Sequence, residues 1–83
     1  MARLLFFGKL ADLAGGRSHE IELSEDVGSV ADLIIALSAK DAALGEAVSH
    51  ASVKFAVNEK IAPAATAINN TDEIAFLPPV SGG

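Results

Sequence analysis

The chain has 83 residues, 51% of them hydrophobic, which suits one small folded domain and leaves no run near the roughly 18 apolar residues a membrane span requires. Its formal net charge is −5 and its six basic residues are scattered singly, so no cationic stripe exists to neutralise nucleic-acid phosphates. There is no cysteine, which excludes a disulfide framework, an iron–sulfur cluster, a zinc knuckle and a thiol nucleophile, and Met1-Ala2-Arg3-Leu4 lacks the length and cleavage pattern of an export signal, so the expected location is the cytoplasm.

The first element is RLLFF at 3–7, a short apolar and β-prone run that predicts a strand. In GKLADLAGG, Leu10 and Leu13 have the spacing of one helical turn, and Gly15-Gly16 then turns the chain. SHEIEL alternates, with His19, Ile21 and Leu23 on one face and Glu20 and Glu22 on the other, which is a half-exposed strand pairing with the first as a hairpin. The period then changes. Val30, Leu33, Ile34 and Leu37 recur on one face of a helix, with Ser29 as its N-cap and Asp32 at the capping-box position. AALGEAVSHAS adds a weaker helical turn. VKFAV is a third strand, with Val53, Phe55 and Val57 facing one way. NEKIAP turns through Asn58-Glu59 into a short strand stopped by Pro63. NNTD is a turn cluster, and EIAFL is the last strand.

A hairpin, one long helix and returning strands make an α+β plan with the helix on one sheet face. The first and last strands can pair parallel in the centre of a mixed sheet, which is the β-grasp or ubiquitin-like arrangement. A ferredoxin-like fold would need a second long helix. The expected organisation is a β-grasp domain at 1–77 followed by an extended, flexible tail at 78–83.

Strand parity separates two faces. Leu4, Phe6, Ile74 and Phe76 are assigned to the core under the helix. Leu5, Phe7, Ala75 and Leu77 then lie side by side on the open face, joined by Ile61, and an exposed apolar patch of that kind marks a protein–protein site. Side-chain chemistry is sparse by comparison. His19 and His50 have no partner at ligand spacing. GGRS is not a phosphate loop, because no Lys-Ser/Thr follows a strand-to-helix glycine turn. Glu25-Asp26 and Asp72-Glu73 fall at turns and read as solvated charges.

What remains is the carboxylate of Gly83 at the end of DEIAFLPPVSGG. Pro78 and Pro79 cannot extend a ladder as donors and stiffen the exit into an extended path. Val80, Ser81, Gly82 and Gly83 continue it, so the stretch beyond Leu77 reaches about 20 Å. Glycine admits close approach where any Cβ would clash. A carboxylate becomes electrophilic once adenylated, and a sulfur nucleophile would convert it to a thiocarboxylate whose ionised sulfur is itself nucleophilic. On this reading the terminus is the working group.

LLFFGKLADLAG, FAVNEKIA and DEIAFLPPVSGG together resemble the MoaD/ThiS family of sulfur carriers, and the Pro-Pro-Val-Ser-Gly-Gly end is close to that of the small subunit of molybdopterin synthase. The resemblance implies that an adenylating enzyme of the ubiquitin-activating type, consuming ATP, activates Gly83, and that a surfurtransferase system supplies the sulfur. It implies that the tail enters the large synthase subunit in a heterotetramer and delivers sulfur to cyclic pyranopterin monophosphate, with no cofactor bound by the small subunit. It also places the partner surface on Phe7, Ile61 and Leu77. Two departures stand out. Ala11-Asp12 replaces a common Arg-Glu, and Asn70-Thr71 replaces a common Asp-Gly, where asparagine tolerates the left-handed backbone a turn can require. Carriers for thiamine thiazole or tRNA thiolation, and a ubiquitin-like modifier joined to target lysines, remain open alternatives.

Overall fold

In the computed structural model, which describes residues 1–79, the chain opens with strand β1 (Ala2–Phe6) and helix α1 (Lys9–Ala14), followed by strand β2 (Ser18–Ile21). Helices α2 (Val30–Lys40) and α3 (Ala42–Val48) come next, then strands β3 (Lys54–Val57), β4 (Lys60–Ala62) and β5 (Glu73–Leu77). The five strands form one mixed sheet in the order β2-β1-β5-β3-β4. β1 and β5 run parallel at its centre, with Leu4 opposite Ile74 and Phe6 opposite Phe76. This is the β-grasp plan expected from the order of elements. Among the described residues no helix is long and apolar enough to cross a membrane.

The core face carries an aromatic row. Phe6 stacks on Phe76 with centroids 5.0 Å apart and planes 7° apart. Phe55 meets Phe76 edge-on at 5.9 Å, and His19 meets Phe6 edge-on at 5.7 Å. Offset-stacked and edge-to-face pairs each add about 0.5–1.5 kcal/mol beyond the burial of their area. Leu4, Ile74, Val30, Leu33 and Val48 close the core around this row. In α1, Leu10 faces inward while Leu13, at the same helical spacing, is 45% exposed.

α2 begins where expected. Ser29 accepts a hydrogen bond from the Asp32 amide at 3.1 Å, and Asp32 in turn accepts from the Gly28 amide at 3.1 Å. The other leading amides are satisfied by a distant loop. Val30 donates to the Thr66 carbonyl at 3.1 Å and Ala31 to the Ala64 carbonyl at 2.8 Å. The segment between β4 and β5 therefore serves as the backbone cap of the long helix, meeting donors that a helix cannot satisfy itself.

Three local features differ from the sequence-based expectation. α3 is a two-turn helix with Leu44, Gly45 and Val48 buried, where only a weaker turn was expected. Gly45 lowers helix propensity by about 1 kcal/mol, which hides the element in the sequence. It is there because α2 passes close by: a Cβ on Gly45 would lie 2.5 Å from the Ser38 Cα. Second, left-handed backbone falls on Asn58 (φ 51°) and Glu59 (φ 71°) and not on Asn70. Consecutive positive φ values in a two-residue loop make the tight turn that matches strand twist between β3 and β4. Asn70 instead uses its side chain. Its Oδ1 accepts from the Leu23 amide at 2.7 Å and its Nδ2 donates to the Leu23 carbonyl at 3.3 Å, tying the end of the β2 segment to the β5 approach. Third, Ala75 lies on the open face but is only 8% exposed. It sits in the central strand with Leu5 and Ala56 as cross-strand neighbours, and a methyl group is too short to rise between them.

Gly45→Ala gains about 1 kcal/mol of helix propensity, yet the added methyl meets backbone that cannot rotate away. Overpacking of that kind costs about 1–3 kcal/mol or more. The expected outcome is a net loss of about 2 kcal/mol, read as a lower urea midpoint at unchanged slope.

Candidate functional site

The site is built on the end of β5 and the open face beside it. The last rung of the central ladder is the Phe7 amide donating to the Phe76 carbonyl at 3.3 Å. Pro78 then follows Leu77, and having no N–H it cannot extend the ladder. It is half-buried against the start of α1, where Gly8 has φ 56° and ψ −133° and an added Cβ would stand 3.1 Å from the Pro78 Cγ. The exit path from the sheet is thus set by a glycine just beyond β1 and a proline just beyond β5. Pro79 is exposed. The continuation at Val80, Ser81, Gly82 and Gly83, which holds the terminal carboxylate singled out from the sequence, lies outside the described residues.

Pairing register orders the open face into rows. The middle row runs Ser18, Leu5, Ala75, Ala56, Ile61 across β2, β1, β5, β3 and β4. Its centre is a low floor of two buried alanines, Ala75 and Ala56, with half-buried Leu5 on one side and Ile61, 68% exposed, on the other. Towards the tail the next row holds half-buried Phe7 and Leu77, with Lys54 paired opposite Leu77. The result is a shallow apolar trough leading to the tail exit. Ala56 was not among the residues singled out from sequence. The signal for it was there, because in VKFAV the residues between Val53, Phe55 and Val57 must face the open side.

Charge is distributed unevenly along this face. The Arg17 guanidinium lies 5.6 Å from the Phe7 ring centroid, a cation–π arrangement that holds a positive charge beside the exit. Lys54 and Lys9 occupy the same end of the sheet, next to Leu77 and Gly8 respectively. The opposite end carries Glu20, Glu73 and Asp72, with Arg3 paired between Glu20 and Glu73. A molecule of net charge −5 therefore presents three of its six basic side chains, Arg17, Lys54 and Lys9, where the tail leaves.

The histidines take structural partners. His19 Nε2 lies 3.1 Å from the Gly16 carbonyl, and His50 Nδ1 lies 2.7 Å from the Ser52 hydroxyl. Asp72 is occupied in the turn before β5, accepting from the Asn58 side chain at 2.9 Å and the Asn69 amide at 2.8 Å. Among the described residues no group of three or more His, Cys, Asp or Glu side chains is placed to hold a metal ion. The structure thus brings Leu5, Phe7, Ala75, Leu77 and Ile61 together on one surface that ends at Pro78, and gathers no comparable cluster of reactive side chains among those residues.

Comparison with known proteins extends this picture. The ThiS family model matches residues 4–83. The molybdopterin synthase sulfur carrier subunit of Haemophilus influenzae is 32% identical over 83 residues, covering 100% of both chains. The molybdopterin synthase sulfur carrier subunit of Mycobacterium tuberculosis is 34% identical, covering 96% of this chain and 94% of that one. Among solved structures, SAMP1 (small archaeal modifier protein 1) of Haloferax volcanii superposes with a TM-score of 0.81 at 30% identity, covering 99% of this chain and 98% of that one.

Gly8→Ala places a side chain at a positive φ and presses it on Pro78. Strain at such a position costs about 1–3 kcal/mol. The expected outcome is a stability loss in that range, together with amide shifts at Phe7, Lys9 and Leu77 in NMR spectra while the α2 signals stay in place.

Proposed function

The chain belongs to the ThiS family, and on that footing we propose that it is the sulfur carrier subunit of a molybdopterin synthase. The observation that carries this reading is the end-to-end match to two relatives that share that name. The apolar trough leading to the tail exit and the Pro-Pro-Val-Ser-Gly-Gly end support it.

In this mechanism the Gly83 carboxylate attacks the α-phosphorus of ATP on a ubiquitin-activating-type adenylating enzyme and releases pyrophosphate. A sulfurtransferase delivers sulfur at the sulfide level, which displaces AMP and leaves a thiocarboxylate. The open face, through Phe7, Ile61, Leu77 and Leu5 over the Ala75 floor, then docks on the large synthase subunit in a heterotetramer. The tail at Pro78, Pro79, Val80, Ser81 and Gly82 threads into that subunit, where the thiocarboxylate sulfur attacks cyclic pyranopterin monophosphate; hydrolysis of the resulting acyl–sulfur bond frees the Gly83 carboxylate, and two such deliveries build the dithiolene. The large subunit supplies the catalytic side chains, so the small one acts as a carried reagent within the enzyme. It binds no cofactor of its own, ATP being consumed by the adenylating partner, and it works in the cytoplasm.

A modifier role is the second reading, favoured by the name of the archaeal relative. Intact-mass measurement after incubation with an adenylating enzyme, ATP and a sulfur source separates the outcomes. We expect replacement of one oxygen by sulfur, and conversion of cyclic pyranopterin monophosphate once the large subunit is added. Isopeptide-linked conjugates with no thiocarboxylate would support the modifier instead. A thiocarboxylate that thiolates only a thiazole precursor or tRNA would reassign the product. Adding one residue after Gly83 should abolish sulfur loading and leave the urea midpoint unchanged; full activity with the extension would overturn the mechanism.

Docking is tested separately. Ile61 is 68% exposed, so Ile61→Asp should leave stability within about 0.5 kcal/mol. Its affinity for the large subunit should fall about 10–100-fold by calorimetry, the loss expected when an apolar interface contact becomes a buried charge.

A further inference from the structure

The sheet has two edges, and they differ. β4 (Lys60–Ala62) has three residues and runs directly into Pro63, which offers no N–H, so that edge is blunted. β2 (Ser18–Ile21) is the other edge, and no proline interrupts the stretch from Ser18 to Leu23. The Phe6 amide donates to the Arg17 carbonyl at 2.8 Å, and alternation then turns the backbone groups of Arg17, His19 and Ile21 towards β1. Leu23 continues the pattern, since both its backbone groups are held by Asn70. The N–H and C=O groups of Ser18, Glu20 and Glu22 therefore face away from the sheet.

Beside this edge lies a groove of about 510 Å³ between β2 and α2, lined by Ile21, Leu23, Val27, Leu33 and Leu37 among others. Glu20 and Glu22 border it together with Lys40 and the amino-terminal Met1, and Arg3 on β1 is the cross-strand neighbour of Glu20, which leaves Glu22 without a cross-strand partner in β1. Ile21 and Leu23 face the groove side with the core, so Glu20 and Glu22 project to the opposite side of the edge.

We propose that the β2 edge and this groove form a strand-addition site for an extended segment of a partner protein in which basic and apolar residues alternate. An added strand would exchange main-chain hydrogen bonds with Ser18, Glu20 and Glu22. Its residues directly opposite those positions share their face, so lysine or arginine there meets the two glutamates. The intervening residues point into the groove, where apolar side chains cover Ile21, Leu23 and Leu37. Charge selects the occupant. A second copy of this chain would set glutamate against glutamate across the new ladder, and like charges directly opposite are destabilising. The site is separate from the trough that leads to Pro78 and does not depend on the sulfur-carrier reading.

The test uses the full chain labelled with ¹⁵N and an acetylated peptide of alternating lysine and valine, Lys-Val-Lys-Val-Lys-Val. The expected result is saturable shifts with Kd of about 1 mM or tighter, centred on the amides of Ser18, Glu20 and Glu22 and reaching Leu33 and Leu37. N-methylation at the lysine positions, whose amides face β2, should remove binding, whereas methylation at the valine positions should be tolerated. In the double variant Glu20→Lys/Glu22→Lys affinity for this peptide should fall at least about 10-fold, and a Glu-Val peptide should bind in its place. Absence of saturable shifts with the unmodified peptide would overturn the proposal. So would shifts confined to Leu5 and Ile61, equal binding of the two methylated peptides, or an unchanged lysine preference in the double variant.

Discussion

Phe6 lies flat against Phe76 across the parallel pairing of β1 and β5, and that contact sets the phase of both central strands. Once these two rings face the helices, Leu4 and Ile74 must follow them inward, and Leu5 and Ala75 must turn outward. A slip of one residue in either strand would carry its buried side chains to the solvent face. The same pairing places the ends of both strands at one edge of the domain, so the chain leaves β5 beside the Gly8 turn that follows β1. The apolar trough and the tail exit are therefore consequences of one register. Neither can move without dismantling the aromatic row.

The covering helix depends on residues far away in the chain. Two of the first amides of α2 are accepted by carbonyls of Ala64 and Thr66, and the Ile68 amide donates back to the Gly28 carbonyl at 3.1 Å. The irregular segment between β4 and β5 is thus fixed at the helix N-terminus before it delivers the chain to the central strand. Asn58 adds a second anchor, its Oδ1 accepting from the Glu73 amide at 2.9 Å and its own amide donating to the Glu73 carbonyl at 2.8 Å. These bonds tie the hairpin turn, including the left-handed Glu59, to the first residue of β5. They explain how a residue with a Cβ persists where glycine is preferred, since the turn is held by contacts outside itself.

The elements that were legible in the sequence are those fixed by periodicity. Val30, Leu33, Ile34 and Leu37 declare α2, and alternation in β1 and β5 separates the open face from the core, so Leu5, Phe7, Ala75 and Leu77 fall on one face from spacing alone, whereas Ile61 joins them only through the pairing of β3 with β4. The features that were not legible come from tertiary contacts that override local preference. Gly45 argues against a helix in isolation but is required by the approach of Ser38. Asn70 suggests a left-handed turn residue but serves as a side-chain clamp on Leu23. The shallow floor at Ala75 and Ala56 depends on which strands become neighbours, and no pattern within either strand states that β3 lies beside β5.

The two ends of the sheet have different chemistry, and the difference bears on how such a domain is handled by others. Arg17, Lys54 and Lys9 stand at the end where Pro78 leaves, and Glu20, Glu73 and Asp72 at the other, where Arg3 and Lys60 offset part of their charge. Separated charge of this kind gives a small protein a dipole, and a dipole orients it during approach to a charged surface within the screening distance of about 8–10 Å. A partner with an acidic rim would meet the exit first and the acidic edge last. Under the proposed docking, orientation before contact matters because specific patches must meet nearly aligned for an encounter to be productive. The basic end thus complements the alanine floor in the proposed docking: charge would align the domain, and the apolar face would hold it once aligned.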